Sequence, residues 1–194
     1  MIGFFGKSKK KSNFDELVAL DTETSGLNPK KDEILSIGAV RIVKNRVILN
    51  ETFYEYVKPT KNISEESIKI HHIRPCDLKE ALEPKEAILS LLDFIGNRPI
   101  IGYYIKFDIA ILNRYIKLHL GKKLLNEHIE ISSMYYKRRK RSSPYEFIDL
   151  KFDTIIEELD IPKLGKHDAL NDAIMTAVSY LKLKNMPEYK GTFL

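Results

Sequence analysis

Leu17-Val18-Ala19-Leu20 is an apolar run of strand length that leads without a break into Asp21-Thr22-Glu23-Thr24-Ser25-Gly26-Leu27. Side chains on a strand alternate between faces, so Asp21 and Glu23 point the same way. Two carboxylates held side by side repel each other and cost stability unless protons or cations neutralise them. Oxygen ligands suit hard cations such as Mg²⁺ or Mn²⁺. Taken alone, a D-x-E at a strand end is usually a pair of solvated loop acids.

Two further places narrow that choice. Ile161-Pro162-Lys163-Leu164-Gly165-Lys166 is a turn-rich lead-in, and from Ala169 the apolar positions Leu170, Ala173, Ile174, Ala177, Val178 and Leu181 recur at helical spacing. The helix therefore starts near Asp168, which reads as its N-cap. His167 falls just outside the helix and Asp172 in its first turn. Macrodipole compensation is the plain alternative for Asp172, and an exposed loop imidazole the plain alternative for His167. Between these places, Arg98-Pro99-Ile100-Ile101-Gly102 is a short apolar strand after a proline. Tyr103-Tyr104 then makes a turn, and Asp108 opens a helix through Ile111, Leu112, Tyr115, Ile116 and Leu120. Asp108 by itself could be only a cap. The ordered set is what points to chemistry: D-x-E on a strand, an acid opening a middle helix, and H-x4-D at the last helix.

Asp21-Thr22-Glu23-Thr24-Ser25-Gly26-Leu27, Phe107-Asp108 and His167-Asp168-Ala169-Leu170-Asn171-Asp172-Ala173 resemble the three exonuclease motifs of the DEDDh family. That family includes the proofreading epsilon subunit of bacterial DNA polymerase III. Ile37-Gly38-Ala39-Val40 and Ile70-His71-His72-Ile73 are also similar to family segments, and the likeness runs over about residues 16 to 184. Three motifs in order are far more specific than any one.

The resemblance implies an α/β, ribonuclease H-like fold, a mixed five-stranded sheet flanked by helices. It also implies a site for two divalent cations, Mg²⁺ or Mn²⁺, with Asp21 bridging them. Glu23 and Asp172 would help hold the ion that activates water, Asp108 the ion near the leaving oxygen, and His167 would be the general base. Thr24, Leu27 and His71 become candidate substrate contacts, with Leu27 wedged against a base. The sequence departs from the family at Tyr103-Tyr104, where relatives carry His-Asn, and at His72, where they carry Gly. Those positions border the substrate groove in relatives, so Tyr103 and Tyr104 join the candidates and the preference for base or sugar is open.

The expected activity is 3′-to-5′ hydrolysis of single-stranded or frayed DNA, releasing nucleoside monophosphates. The same chemistry on short RNA is the alternative, and a non-catalytic nucleic-acid-binding scaffold a third reading. A pure binder has no need of five metal-site residues together. DNA against RNA turns on contacts to the sugar 2′ position, which the residues do not identify.

The chain has 194 residues, 43% of them hydrophobic, enough for one sizeable core. The expected division is a basic arm over 1–13, one exonuclease domain over 14–186 and a short tail over 187–194. A single Cys76 rules out an intramolecular disulfide and suits a reducing cytoplasm. No apolar run reaches membrane-spanning length: the stretch from Ala87 to Ile95 contains Asp93, and Met1-Ile2-Gly3-Phe4-Phe5 is too short for a signal core. No membrane partner is expected. Neither a long polymerase-binding tail nor a glutamine-led clamp-binding peptide is visible, so the expectation is a stand-alone nuclease acting on DNA or RNA 3′ ends.

Lys137-Arg138-Arg139-Lys140-Arg141, with Lys7, Lys9, Lys10 and Lys11, carries more positive charge than the net +5, so the rest of the chain is acidic. Lys137, Arg138 and Arg139 are therefore candidate phosphate contacts, with Tyr135, Tyr136 and Tyr145 able to stack on bases. The plain alternative is a solvated loop that deters aggregation.

The expected elements are a strand at 17–23 and a hairpin of strands at 33–43 and 47–57 turning at Lys44-Asn45-Arg46. An extended link from Pro59 to Pro75 follows, then a helix at 84–96, a strand at 99–102 and a helix from 108. A polar loop to about 147 and helices at 149–159 and 169–184 complete the chain.

Overall fold

The computed structural model describes residues 14–142, 145–165 and 167–186. The expected basic arm and C-terminal tail lie outside them. Five strands, β1 (Glu16–Thr24), β2 (Ile34–Val43), β3 (Arg46–Tyr56), β4 (Ile100–Gly102) and β5 (His128–Glu130), form one sheet in the order β3-β2-β1-β4-β5. The first three pair antiparallel, and β4 and β5 run parallel to β1. Lys44 and Asn45 make the tight β2–β3 turn, both with positive φ, the backbone conformation such hairpins require.

Among the described residues six helices cover the sheet: α1 (Glu65–His71), α2 (Pro84–Ile95), α3 (Ile105–Leu120), α4 (Ile131–Ser142), α5 (Phe152–Glu158) and α6 (Ala169–Asn185). Strand alternation splits the core in two. Val18 and Leu20 join Ile34, Ile37, Ala39 and residues of α2 and α3 on one face. Leu17 and Ala19 join Val40, Ile42, Ile101 and residues of α4, α5 and α6 on the other. Asp21 and Glu23 continue the Leu17-Ala19 row toward α6, while Thr22 follows Leu20 toward α3.

Several elements differ from the sequence reading. The Pro59-to-Pro75 link contains α1, whose Ser64 hydroxyl accepts the Ser67 N–H at 3.2 Å. The middle helix starts at Ile105, so Asp108 lies one turn inside it. The polar stretch to 147 contains β5 and α4. Helix α4 has a polar, charged surface and almost no apolar stripe; buried Ile131 and Tyr135 fasten it to α6. Tyr135 is therefore core and cannot stack on a base.

Candidate active site

The three motifs meet at the carboxyl ends of β1 and β4. A bulge between Glu23 and Thr24 ends the regular β1–β2 pairing where the acids emerge. Asp21 lies opposite Gly38 on β2, and a Cβ at Gly38 would stand 2.2 Å from the backbone of Ala169 and Leu170. The bare glycine lets the first turn of α6 rest directly on the sheet, which sets Asp172 beside Asp21. Asp168 caps that turn by accepting the Asn171 N–H at 2.9 Å, as the sequence suggested.

Asn171 Nδ2 donates to the Gly165 carbonyl at 3.3 Å, closing the loop that carries His167. His167 is exposed and left-handed at φ 54°, just outside the helix. Its imidazole and the carboxylates of Glu23 and Asp172 offer ligand atoms all within 4.8 Å of one another.

Asp108 arrives from the other side of β1 and is 3% exposed. The Thr22 hydroxyl donates to its Oδ1 at 2.6 Å, so the residue between the two β1 acids fixes the third. Upstream, Tyr104 is left-handed at φ 55°, and α3 has no cap from its own N-terminal side chain. Glu130 at the end of β5 supplies one: its Oε1 accepts the Tyr104 N–H and its Oε2 the Ile105 N–H, both at 3.0 Å. The Ser132 N–H and hydroxyl also donate to Glu130 Oε1, at 3.2 and 2.9 Å.

Burial first, and mutual repulsion after it, keeps protons on these acids. Burial raises the Asp21 carboxyl well above the ordinary carboxylate range, helped by Asp108, Asp172 and Glu23. Burial also raises Asp108, against the opposing hydrogen bond from Thr22. Glu23 is pushed up to about 7 by burial and then by Asp172, Asp168 and Asp108. Mutual repulsion among hard oxygen donors is what a bound divalent cation relieves, so the residues fit such a cation.

A cleft of about 580 Å³ opens from the cluster, lined by Asp21 through Leu27, by Ile70 and His71, and by Tyr104 and Phe107. Leu27 stands at its rim, 91% exposed. The Thr24 hydroxyl donates to the Gly26 carbonyl at 2.7 Å, stiffening the turn below it. His71 borders the cleft but is buried and engaged at both ring nitrogens. Its Nδ1 accepts the Ile73 N–H at 3.0 Å, and Nε2 meets the Ser67 hydroxyl at 2.7 Å. That bonding fixes the proton on Nε2, and burial, reinforced by His72 and His167, lowers its pKa. Tyr103 is fixed by donating to the Leu150 carbonyl at 3.0 Å and stacking on Phe152, whereas Tyr104 is exposed.

The basic segment is not part of this cluster. Arg138 donates to the Met186 carbonyl, at the far end of α6 from Asp172. At 1.5 Å per residue that is roughly 20 Å along the helix. Arg139 pairs with Glu158 at 3.2 Å, and Lys137 and Lys140 are exposed.

Sequence reading missed Thr22, Gly38 and Glu130 as parts of the site. Thr22 was visible inside the first motif, and Gly38 within a segment already matched to the family. Glu130 carries no local signal, because its role exists only once β5 pairs with β4.

A ribonuclease H-like sheet with four acids and a histidine at its carboxyl edge defines the DEDDh class of nuclease site. The chain belongs to the RNase T exonuclease family, whose model it matches over residues 18–180. It is 30% identical over 174 residues to the PolC-type DNA polymerase III of Thermotoga petrophila, covering 90% of this chain and 12% of that protein. It is 28% identical over 169 residues to the DNA polymerase III subunit epsilon of Aquifex aeolicus, covering 86% of this chain and 79% of that subunit. Its fold resembles E. coli exonuclease I in complex with a dT13 oligonucleotide, at a TM-score of 0.77 and 16% identity. That match covers 89% of this chain and 41% of the other.

Proposed function

We propose that the protein is a divalent-metal-dependent 3′-5′ exonuclease that removes nucleoside monophosphates from single-stranded or frayed DNA ends. The convergence of Glu23, His167 and Asp172 beside Asp21 and Asp108 carries this reading. Asp21 sits between the other acids and would share both cations; Glu23 and Asp172 would hold one and Asp108 the other. Bound there, the cations would supply Lewis acidity at the scissile phosphate and activate water.

The chain's own residues do the rest. His167, exposed beside Glu23 and Asp172, takes the proton of the attacking water as it adds to the terminal phosphorus. The bond from phosphorus to the 3′ oxygen of the preceding nucleotide breaks and that oxygen takes a proton from solvent, to which His167 returns its own, leaving a 5′-monophosphate and a chain with a new 3′ hydroxyl. Leu27 and the stiff turn beneath it hold the terminal nucleotide in the cleft. DNA is favoured as substrate by the company of DNA polymerase III relatives and by the dT13 bound to the exonuclease I neighbour.

The test is a gel assay of 5′-labelled DNA and RNA, single-stranded and mismatched duplex, with Mg²⁺, Mn²⁺ or EDTA. Stepwise shortening of single-stranded DNA that stops in EDTA is expected. Full activity in excess EDTA, or RNA degraded in preference to DNA, refutes the corresponding part.

A further inference from the structure

Two segments outside the sheet line the active-site cleft. One is the turn from Ser25 to Glu33, which brings Leu27 to it; the other is α1, which brings Ser67, Ile70 and His71. Leu27 and Ile70 are both exposed, at 91% and 57%, so each segment offers an apolar side chain to a base lying in the cleft. A single carboxylate ties the two segments together. Glu33 closes the turn, its N–H donating to Ser25 Oγ and its carbonyl accepting the Ser25 N–H, both at 2.9 Å. The residue is only 7% exposed. Its Oε2 accepts the Thr60 and Lys61 N–H groups at 3.0 Å each, and its Oε1 accepts the Thr60 hydroxyl. Thr60 and Lys61 lead directly to Ser64, the cap of α1.

We infer that Glu33 is a positioning residue for the terminal nucleotide: by holding the start of α1 against the base of the Leu27 turn, its carboxylate sets the gap between Leu27 and Ile70 in which the last base is gripped. The inference rests on the 3′-end reading of the active site.

The chemistry of the group suits that task. A buried carboxylate costs stability unless donors meet its oxygens, and bonds from N–H and O–H groups to a charged acceptor are short, strong and directional. Here the donors belong to a different segment from the acid, so the bonds fix a distance between segments rather than the shape of one. Helix α1 needs such an anchor, because seven residues give a helix little stability of its own. The turn, in contrast, is already fixed from its far side. Asp32 Oδ2 accepts the Asn28 N–H at 2.6 Å, and Arg114 of α3 donates to the Lys30 carbonyl at 3.2 Å and to the Asp32 carbonyl. The helix that carries Asp108 therefore also holds the turn that carries Leu27, and Glu33 passes that reference on to α1. Glu33 itself does not line the cleft, so it acts through Leu27 and Ile70 and not on the substrate.

The experiment pairs a protein change with a substrate change. Glu33→Gln keeps the shape of the side chain but turns one acceptor oxygen into a donor. Thr60→Val removes the hydroxyl from the other side of the same contact and is the milder variant, which carries the test if Glu33→Gln does not fold. Each is compared with the wild-type protein for removal of the first nucleotide, in Mn²⁺, from two 5′-labelled single-stranded DNAs. One is unmodified; the other ends in an abasic tetrahydrofuran nucleotide at its 3′ terminus. On unmodified DNA, Glu33→Gln should raise KM about three- to tenfold and Thr60→Val about twofold, because a wall in place only part of the time lowers apparent affinity by that fraction. Turnover and the Mn²⁺-induced rise in Tm should stay at the wild-type values. The abasic end should raise the wild-type KM and leave the variants with the same KM as the wild-type protein, since the grip on the base has already been lost. An equal penalty on both DNAs, a fall in turnover with KM unchanged, or no change on either DNA would overturn the inference and leave Glu33 a residue of the fold alone. Failure of the wild-type protein to shorten unmodified DNA would instead overturn the 3′-end reading itself.

Discussion

Among single residues, His167 separates hydrolysis from cation binding most sharply. It lies in a left-handed loop position rather than in the helix, so its imidazole can be removed without unpacking α6. His167→Ala should lower turnover about 10²- to 10⁴-fold. The Mn²⁺-induced rise in Tm should survive; its loss would make the histidine a ligand instead.

Glu23 allows a test without activity. Its carboxyl is raised from 4.5 to about 7 in the folded protein, so in EDTA the folded state binds its proton more tightly than the unfolded chain does. That contribution is complete below pH 4.5 and is lost as pH climbs through about 7. Glu23→Gln, which stays neutral, should therefore gain Tm over the wild-type protein between pH 5 and 8 in EDTA. Saturating Mn²⁺ should cancel or reverse the gain. A pH-independent difference would mean that neither burial nor the neighbouring acids raise the Glu23 carboxyl.

At the level of elements, the approach of α6 to β2 decides whether the acids meet. Gly38→Ala places a Cβ against backbone rather than against a side chain that can swing away, so the helix must lift. Overpacking of this kind costs about 1–3 kcal/mol. Because Asp172 rides on the displaced turn, cation affinity should fall with stability. Chemical denaturation with and without Mn²⁺ checks this, and an unchanged Mn²⁺ stabilisation in the variant would show that the contact does not position Asp172. Helix α1 was open to sequence reading in hindsight, with Ser64 ahead of Glu65 and Glu66, but seven residues between prolines give a periodic pattern too little length. Helix α4 was not: its five-residue basic run shows no hydrophobic stripe, and it is held by Ile131, Tyr135, the Arg139–Glu158 pair and the Arg138 bond to α6.

At the scale of the molecule, an acidic and a basic cluster lie apart among the described residues. The acids gather at the carboxyl edge of the sheet, while Lys137 to Arg141 lie near the C-terminus of α6, roughly 20 Å away along that helix. That span is about six nucleotide steps at ~3.4 Å each. Lys137→Ser/Lys140→Ser should therefore flatten the salt dependence of KM for long single strands and leave dinucleotide hydrolysis unchanged. An equal effect on both lengths would place the basic segment nearer the cleft than α6 allows.

The meeting of the acids and the histidine was legible in the sequence, because the three motifs carry these residue types at ordered places on a strand and two helices. Alternation along 17–23 set Asp21 and Glu23 on one face, and the helical period from Ala169 put His167 outside and Asp172 inside the last helix. What chain order could not convey was contact across the sheet. The hydrogen bond from Thr22 to Asp108 spans 86 positions, Glu130 caps a helix that precedes it by 25, and Gly38 matters only for what packs on it. The same limit applied to the basic run: its charge was plain from composition, but its distance from the acids was set by α4 packing along α6, which no local pattern encodes.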